Sequence, residues 1–239
     1  MEAWREDQLN LLVAGGEQDE VFSKVTDLAR GLGFTNCAYG MRAPLPLSRP
    51  EIVMLSDYSD AWRSRYENAA YLSLDPTVQR GAASLEAFAW SHRQRGSAAV
   101  AEFWEDAVGH GVSYGVSLPM LAANSVRGML TLTRESDLPT DKELAEKWPQ
   151  LLWLGQVAHH ALSRQILHKW RSGIGEGLSD RETEILRWVA EGKTNKQIAS
   201  RINVTERTVN FHLNNVMAKL GVPNRTAAAV SALILGIIA

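Results

Sequence analysis

The feature that most constrains the fold is a pair of short amphipathic helices predicted between Thr194 and Leu220. In the second helix, apolar residues recur every three or four positions, which places them on one face that has to be buried. These residues are Val209, Leu213, Val216, Met217 and Leu220. The outward face lacks carboxylates and carries groups that bond phosphates and base edges. Its residues are Arg207, Thr208, Asn210, Asn214 and Asn215.

Both helices of this stretch carry start signals. Thr194 and Gln197 have the T-x-x-Q spacing of a capping box, and Thr205 can cap the second helix through its hydroxyl. Two capped helices joined by a short connection, Asn203-Val204, are typical of a helix-turn-helix, whose second helix enters the major groove of DNA. On spacing alone, an ordinary helical hairpin with a solvated outer face is an open alternative.

A longer segment, Leu178 to Ala239, carries a more specific pattern. Its first part, LSDRETEILRWVAEGKTNKQIA, resembles the C-terminal module of LuxR-type transcription factors. The positions that mark this family fall on Glu182, Leu186 and Gly192, followed by Lys193-Thr194. The resemblance implies that the segment binds double-stranded promoter DNA.

The residues of this segment that we expect at the DNA fall into two groups. Candidates for phosphate contacts are Lys193, Thr194, Lys196 and Arg225. Candidates for the groove-facing side are Arg207, Thr208, Asn210 and His212, with Thr205 at the start of the helix. For His212, a solvated position on the helix is the alternative.

Charge is distributed unevenly along the chain, whose net charge is −2. From Gly173 onward there are eight Lys or Arg and six Asp or Glu, whereas the remainder has 17 and 21. The predicted DNA module therefore carries +2 and the rest −4. Because each phosphate contact supplies only part of the driving force, so small an excess predicts that two copies of the module are needed. We therefore expect a homodimer.

The 239 residues are enough for two domains. Arg171 to Gly177, RSGIGEG, contains three glycines and is predicted to be a flexible linker between residues 1–170 and residues 178–239. Helical patterns flank strand patterns at both ends of the first part. The predicted class is α+β, with an N-terminal α/β/α sandwich followed by an all-α helix-turn-helix domain.

Strands and helices can be placed by their residue patterns. The predicted strands are Phe34–Arg42, Ile52–Leu55, Phe88–Trp90, Tyr114–Leu121 and Gly128–Arg134. The predicted helices of the first part are one ending near Gly31, then Ser59–Ala70, Ala98–Val108 and Asp141–Trp170, the last bent at Pro149. The apolar run Ile52–Leu55 predicts a buried strand, and the three prolines of Ala43–Pro50 predict an ordered loop. The uncharged stretch Thr226–Ala239 predicts a buried or dimerising helix, too short to cross a membrane.

Aromatic residues of the first part recur at helical spacing. Tyr58, Trp62 and Tyr66 are four apart and lie on one helix face, and Asp75 and Trp90 follow. Ordinary core packing is the alternative. However, Trp and Tyr have polar ends that need partners when buried, and a buried Asp needs a donor. Such a set suits a small amphiphilic ligand with an amide and a carbonyl.

The region from about Phe22 to Trp170 resembles the autoinducer-binding domain of the same LuxR-type family. The matching positions are Trp62, Tyr66, Asp75, Pro76, Trp90 and Gly115. The run GMRAPLPLSRP is most similar to orphan receptors of the quorum-sensing-control repressor kind. The resemblance implies that the ligand, a small-molecule autoinducer, is an N-acyl-homoserine lactone.

The resemblance also implies roles for single residues. Trp62 would donate its indole N–H to the lactone carbonyl, and Asp75 would accept the ligand amide N–H. Tyr58 and Thr131 would hold the amide carbonyl, and Trp90 would pack against the lactone ring. Further candidate contacts are Tyr66, Thr77 and Ser117.

The sequence also allows expectations about two features of the acyl chain, its 3-oxo substitution and its length. Arg63 could reach a 3-oxo group through water, with an exposed helix charge as the alternative. A medium-to-long acyl chain is expected because the residues near its path are small or adaptable: Ala38, Gly40, Met54 and Met129.

Other classes of function lack the residues that they need. A phosphorylation-controlled response regulator would need an acidic cluster at one end of parallel strands, and the first part lacks that alternating pattern. An enzyme on acyl-lactones would need G-x-S-x-G or a histidine-carboxylate motif, and neither is present. His159, His160 and His168 are predicted to be solvated on the long helix. We expect no catalytic residue, cofactor or metal site.

Cys37 is the only cysteine, and MEAWREDQLN is too charged for a secretory signal, so a cytoplasmic protein without a membrane association is expected. The expected function is a quorum-sensing transcriptional regulator, with RNA polymerase as a further candidate partner. A ligand-antagonised repressor and a regulator sensing a different small molecule are the alternatives.

Overall fold

The computed structural model describes residues 16–42, 52–94, 96–122, 126–172 and 177–238. These residues form two compact units, the first built from residues up to Gln165 and the second from Ile166 onward. The predicted proline loop Ala43–Pro50 lies outside the described residues, as does most of the predicted linker.

The first unit contains a five-stranded antiparallel sheet with the order β2-β1-β5-β4-β3. The strands are β1 Asn36–Arg42, β2 Ile52–Ser56, β3 Phe88–Ser91, β4 Tyr114–Leu121 and β5 Arg127–Arg134. Each predicted strand is confirmed to within two residues. In the centre of the sheet, Leu130 lies opposite both Tyr39 and Leu118.

Helices connect and cover these strands. They are α1 Gln18–Gly31, α2 Asp60–Asn68, α3 Pro76–Ala83, α4 Ala98–Gly109 and α5 Asp141–Ser172, with a 3-10 turn at Tyr71–Ser73. The side chains of Ser59 and Ser97 cap α2 and α4 by accepting backbone N–H groups. Helix α5 runs through Pro149 and includes Arg171 and Ser172, so the predicted linker begins two residues too early.

The sheet has a helical layer on each face, which confirms the predicted α/β/α sandwich. On one face, Thr26 of α1 contacts Cys37 at 3.3 Å, and Gly155 of α5 lies against Leu118. On the other face, Gly81 of α3 lies against Met129 of β5. This second face carries the residues that the sequence predicts to bind a ligand.

His159 is buried, which corrects the prediction that it is solvated. It is 1 % exposed, with Nδ1 2.8 Å from the Tyr39 hydroxyl and Nε2 3.1 Å from the Val126 carbonyl oxygen. Since a carbonyl can only accept, Nε2 carries the hydrogen and Nδ1 accepts from Tyr39. Burial lowers the pKa of His159. The side chain fits because Gly128 leaves it room: a Cβ there would lie 2.6 Å from Nδ1.

Strand β2 lies at an edge of the sheet, which corrects the prediction of a buried strand. Ile52 is 41 % exposed and Met54 is 43 % exposed. Within the described residues, β2 pairs only with β1. The apolar run therefore predicted the strand correctly. The position of that strand in the sheet could not be predicted, because it depends on partner strands that are distant in sequence.

The second unit is an all-α bundle around its own apolar core. Its helices are α6 Asp180–Ala190, α7 Asn195–Arg201, α8 Glu206–Leu220 and α9 Arg225–Ile234. The predicted stripe of α8 is buried except for Met217, which is partly buried against the same core. The helix predicted over Thr226–Ala239 is confirmed as α9 in its first part, with Ala228 and Ala232 fully buried, but it ends at Ile234. No described helix is long and apolar enough to cross a bilayer.

Candidate ligand pocket and DNA-binding helices

The candidate pocket lies between the second sheet face and helices α2 to α4. Trp90 donates from Nε1 to the Ser117 hydroxyl at 3.0 Å, and Ser117 is 3.0 Å from the Thr131 hydroxyl. Antiparallel register aligns them, because Ser117 of β4 lies directly opposite Thr131 of β5. The structure therefore brings three predicted ligand residues into one buried hydrogen-bonded chain.

Gly115 determines where the Trp90 indole lies. Trp90 and Gly115 are opposite each other on β3 and β4, and a Cβ at Gly115 would come within 2.5 Å of the indole. Any side chain at this position would displace Trp90. The glycine therefore leaves the space that the Trp90 ring occupies next to β4.

Asp75 is the polar centre of the pocket. Its Oδ1 accepts from the Thr77 backbone N–H at 2.8 Å and the Thr77 hydroxyl at 2.7 Å, and its Oδ2 accepts from the Tyr66 hydroxyl at 3.1 Å. The Thr77 backbone bond makes Asp75 the N-cap of α3, with Pro76 in the first turn. Burial raises the pKa of Asp75, while the bonds from Thr77 and Tyr66 oppose that shift.

Trp62 occupies the middle of an aromatic cluster. It is 2 % exposed, and its ring centroid lies 5.7 Å from that of Tyr66 and 5.2 Å from that of His110. The neighbouring rings are Tyr71 and Phe103. Tyr58 also packs against this cluster, and burial raises the pKa of its hydroxyl.

Two hydrogen bonds to Asp106, which were not predicted from the sequence, join α2 and the 3-10 turn after it to α4 beside this cluster. Asp106 of α4 accepts from Arg65 Nε and from the Tyr71 hydroxyl, each at 2.5 Å. These two bonds lower the pKa of Asp106, with the Tyr71 bond the larger cause. Asp106 lies 41 residues after Arg65 and 35 after Tyr71, so helical periodicity could not reveal its contacts with them.

One buried polar atom near the pocket, Trp104 Nε1, has no hydrogen-bond partner among the described residues. The Trp104 ring lies 5.5 Å from that of Trp90. Thr133 lies opposite Gly115 in the sheet, and its hydrogen bond to Tyr58 opposes the effect of burial on the pKa of Tyr58. An unsatisfied buried donor such as Trp104 Nε1 costs free energy. Neither Trp104 nor Thr133 was predicted from the sequence.

Arg63 does not join this group of residues. Its side chain is 51 % exposed and pairs with the exposed carboxylate of Asp60, one turn earlier on α2. Arg63 is therefore an exposed charge on helix α2, which was the alternative to a ligand contact. The structure therefore provides no support for a contact from Arg63 to a 3-oxo group.

In the second unit, α7 and α8 form the predicted helix-turn-helix. Thr194 and Gln197 make the predicted capping box, and the Thr205 hydroxyl accepts from the Thr208 backbone N–H at 3.1 Å. The connecting residue Asn203 has φ of 53°, a left-handed conformation that asparagine tolerates better than most residues.

The predicted DNA residues lie at or near the surface of this unit. Exposed are Thr194, Lys196, Thr205, Arg207 and Asn210, whereas Lys193, Thr208, His212 and Arg225 are half-buried. Arg225 bonds to the Asn195 side chain at 2.7 Å and to the Lys193 carbonyl at 2.5 Å, and Asn195 in turn donates to Asn210. Arg225 thus fastens α9 to the start of α7 in addition to its predicted phosphate contact.

Two family descriptions match these two units in order. The first, "Autoinducer binding domain", matches residues 17–162, and the second, "Bacterial regulatory proteins, luxR family", matches residues 176–232. The chain belongs to the LuxR family of quorum-sensing transcriptional regulators. Its first unit is an autoinducer-binding domain, and its second is a helix-turn-helix DNA-binding domain.

Relatives with known names cover both domains. The LuxR-family chain is 40 % identical over 238 residues to "Transcriptional activator protein AnoR" of Acinetobacter nosocomialis, covering 100 % of each chain. The Escherichia coli protein SdiA, solved in complex with octanoyl-rac-glycerol, matches with a TM-score of 0.80 and 29 % identity, covering 98 % of this chain and 95 % of SdiA.

A third relative is similar over about two thirds of this chain. It is the Burkholderia cenocepacia protein CepR2, described as an N-acylhomoserine-lactone-dependent LuxR-family transcription factor. Its TM-score is 0.62 at 27 % identity, and the match covers 67 % of this chain and 94 % of that one.

The residues that mark the LuxR family in the second domain have structural roles. Glu182 is buried, completes the capping box of α6 with Ser179, and accepts from Lys219 Nζ at 2.8 Å. These bonds together hold the pKa of Glu182 below its ordinary value, although burial acts in the opposite direction. Gly192 has φ of 79°, a conformation that favours glycine. Among the described residues, no group of three potential metal ligands lies together.

Proposed function

We propose that this LuxR-family regulator binds an N-acyl-homoserine lactone between its sheet and helices α2 to α4, and that it binds promoter DNA as a homodimer. The observation that carries the proposal is the buried carboxylate of Asp75, which accepts from Tyr66 of the aromatic cluster around Trp62. The same sheet face carries the hydroxyls of Ser117 and Thr131. A ligand with one amide and one carbonyl suits this combination of acceptor, donors and apolar rings.

Asp75 would bind the ligand through Oδ2. The Thr77 backbone N–H and hydroxyl both donate to Oδ1, Tyr66 donates to Oδ2, and the Val78 backbone N–H also stabilises the charged carboxylate. The ligand amide N–H would donate to Oδ2, while Trp62 would donate to the lactone carbonyl. Tyr58 and Thr131 would hold the amide carbonyl, and Trp90 would cover the lactone ring.

The acyl chain would continue along the sheet toward Gly40. Gly40 and Met129 are neighbours on β1 and β5, and a Cβ at Gly40 would meet no atom within 4 Å. This free space beside an adaptable methionine supports a medium-to-long chain. Each buried methylene would contribute about 0.8 kcal/mol to binding.

Ligand binding would control DNA binding through the folded state of the first domain. A ligand that binds only the folded state stabilises it by mass action. A folded, paired first domain would hold two helix-turn-helix units for half-sites about one helical turn apart. Pairing is needed because the second domain has a charge excess of only two.

The test begins with the ligand. The protein is expressed with a panel of acyl-homoserine lactones that differ in chain length and 3-oxo substitution, and the bound molecule is extracted and identified by mass spectrometry. A DNA shift assay with and without that molecule then shows whether it promotes or blocks binding. Recovery of no lactone from any culture would refute the proposed ligand, and a strict preference for butanoyl would refute the chain length.

A monoacylglycerol is the second candidate ligand, because the similar protein SdiA was solved with octanoyl-rac-glycerol. Its hydroxyls could bond to Asp75 and Ser117, but it has no amide N–H. Adding octanoyl-glycerol to the same extraction competition distinguishes the two. Incubation of the protein with the lactone should show no hydrolysis beyond the buffer control, as expected of a regulator and not of an enzyme.

The direction of regulation is a separate question from the ligand. AnoR is named as an activator, and we propose the same direction for this chain, which implies a productive contact with RNA polymerase. A reporter driven by a bound promoter would rise with ligand. A fall with ligand would instead indicate a repressor that needs the ligand or an activator that the ligand antagonises. A ligand-antagonised repressor would also give a rise, but its reporter would be high without ligand once the gene for the protein is deleted, whereas that of an activator would be low.

A further inference from the structure

Helix α8 exposes a large aromatic side chain on the face that points away from its core. Phe211 is 61 % exposed, the highest value among the large hydrophobic residues that the structure describes. At about 100° per residue, it lies almost opposite the buried stripe of Val209, Leu213 and Val216. Its ring contacts that of His212, with centroids 5.6 Å apart. Phe211 therefore takes no part in the domain core.

The residues around Phe211 indicate what covers it. Arg207 and Asn214 lie one turn before and one turn after it on the same face, and both are exposed. Glu206, at the first turn, is the one acidic residue of α8. This surface is complemented by a negatively charged partner whose hydrogen-bond acceptors face Arg207 and Asn214 and whose apolar group faces Phe211. The major groove of DNA has that combination wherever a thymine presents its 5-methyl group.

The neighbouring polar residue is less available than Phe211. The Asn210 side chain accepts a hydrogen bond of 2.5 Å from Asn195, which Arg225 holds in place at 2.7 Å. Asn210 is thus partly committed within the domain. Phe211, the sixth residue of α8, lies in the N-terminal half of the helix that a helix-turn-helix places against base edges.

We propose that Phe211 determines part of the DNA sequence preference by packing on a thymine 5-methyl group in the major groove. The inference rests on the proposed DNA binding of the dimer and adds the identity of one recognised base. The chemistry is apolar contact and involves no hydrogen bond from Phe211. Removal of the methyl group from the DNA should therefore have the same effect as removal of the ring from the protein.

The experiment uses the full-length protein with N-octanoyl-homoserine lactone and, in parallel, without it. Preferred duplexes are selected from a randomised pool, and each thymine of the preferred site is then replaced singly by uracil, which lacks only the methyl group. We expect one position per half-site at which uracil weakens binding about fourfold, the effect of about one buried methyl group. In Phe211→Ala the same replacement should change affinity less than 1.5-fold, a nonadditivity that identifies a direct contact.

Leu233→Ala is the matched control. Leu233 is 47 % exposed on α9, so its removal also deletes an exposed apolar side chain without opening the core. This variant should keep the wild-type sensitivity to uracil. Circular dichroism and binding to a non-specific duplex should be unchanged in both variants, since neither residue is buried.

The outcomes separate the inference from the function on which it rests. If no preferred duplex is selected with or without the lactone, the proposed DNA binding fails and the inference fails with it. If a duplex is selected but no thymine is sensitive to uracil, the inference alone is wrong. Equal uracil sensitivity in wild type and Phe211→Ala would also overturn the proposed thymine contact. A loss of transcription in Phe211→Ala with unchanged DNA affinity would overturn it too, because the ring would then act on a protein partner.

Discussion

Asp75 has two functions within one carboxylate. As the N-cap of α3 it satisfies a backbone N–H that would otherwise lack a partner, and as the acceptor from Tyr66 it fixes a ring of the aromatic cluster. The cap explains why Asp is followed directly by Pro76, which suits the first turn of a helix. The family resemblance implied the ligand role of Asp75, but Asp75 and Pro76 are also the start signal of helix α3, which was not predicted.

Asp75→Asn tests both functions. The amide keeps one acceptor oxygen but places an NH₂ group against a donor, so a hydrogen bond to Thr77, Tyr66 or the ligand is lost. We expect the affinity for N-octanoyl-homoserine lactone to fall by about 1 to 3 kcal/mol, measured by isothermal titration calorimetry. The free energy of unfolding in urea should fall by about 1 kcal/mol from the weakened cap.

Ser97→Ala is the control for the cap. Ser97 caps α4 by accepting from the Val100 backbone N–H at 3.4 Å, and it has no proposed contact with the ligand. This variant should lose a similar amount of stability and keep its affinity for the lactone. Unchanged affinity in Asp75→Asn would remove Asp75 from the proposed ligand contacts.

At the scale of elements, the sequence was most informative where structure depends on neighbours in the chain. The apolar stripe of α8 and the capping signals at Thr194 and Thr205 are local, because residues within one or two turns decide them. Helix α3 was missed because its short run, PTVQRGAA, has too few large apolar residues to show periodicity. The edge position of β2 and the burial of His159 depend on residues far away in sequence.

In the candidate site, too, features decided by neighbours in the chain could be predicted and features decided by distant residues could not. Trp62 and Tyr66 could be placed on one face of α2 from spacing, since helical periodicity is local. The predicted place of Tyr58 on that helix is wrong, because α2 begins at Asp60. The chain from Trp90 through Ser117 to Thr131 exists only because β3, β4 and β5 are paired in one register. No local pattern indicates a register, so Ser117 and Thr131 came from family resemblance, and Thr133 and Trp104 were missed.

Helix α5 is held to the sheet by an ionic network at its first turns. Glu143 accepts from Arg134 at 3.0 Å and from Lys147 at 2.9 Å, and Lys147 also donates to the Leu32 carbonyl at 2.8 Å. These bonds lower the pKa of Glu143 to about 2. The network thus connects β5, α5 and the end of α1 through one carboxylate.

Glu143→Gln should lower the free energy of unfolding at pH 7 by about 1 to 2 kcal/mol, measured with urea. The folded pKa lies below the ordinary value of 4.5, so the stabilisation by the charged form is present above pH 4.5. It is lost as the pH falls from 4.5 toward 2. The stability difference between wild type and variant should therefore shrink across that range.

Glu146→Gln is the matched control for this prediction. Glu146 lies on the same helix, one residue before Lys147, and is exposed. The variant should change the free energy of unfolding by less than about 0.5 kcal/mol, both at pH 7 and in the acidic range. A constant difference between wild type and Glu143→Gln from pH 7 to pH 3 would show that Glu143 contributes through packing and not through its charge.

At the scale of the whole molecule, the division into a sensing and a DNA-binding domain matches the division of charge. The first domain is net acidic and contains the buried pocket residues, whereas the helix-turn-helix domain has a slight basic excess and contains the exposed polar face of α8. A weakly charged module gains affinity for DNA by being present twice.

Calorimetry of the full chain can test this assignment of the ligand to one domain. At a free ligand concentration of about 100 times Kd, the folded state of the binding domain gains about 2.7 kcal/mol. For a domain of this size, the gain should raise its Tm by about 5 to 10 °C. The transition of the helix-turn-helix domain should shift by less than about 2 °C, because its buried core contains none of the proposed ligand contacts.

Asp75→Asn supplies the control, since it should reduce the shift of the first transition and leave the second where it is. Repeating the scans at two protein concentrations tests pairing in the same experiment, because the Tm of a dimer rises with concentration. Equal ligand-induced shifts in both transitions would contradict a ligand site confined to the first domain. A Tm independent of concentration, with and without ligand, would contradict the homodimer.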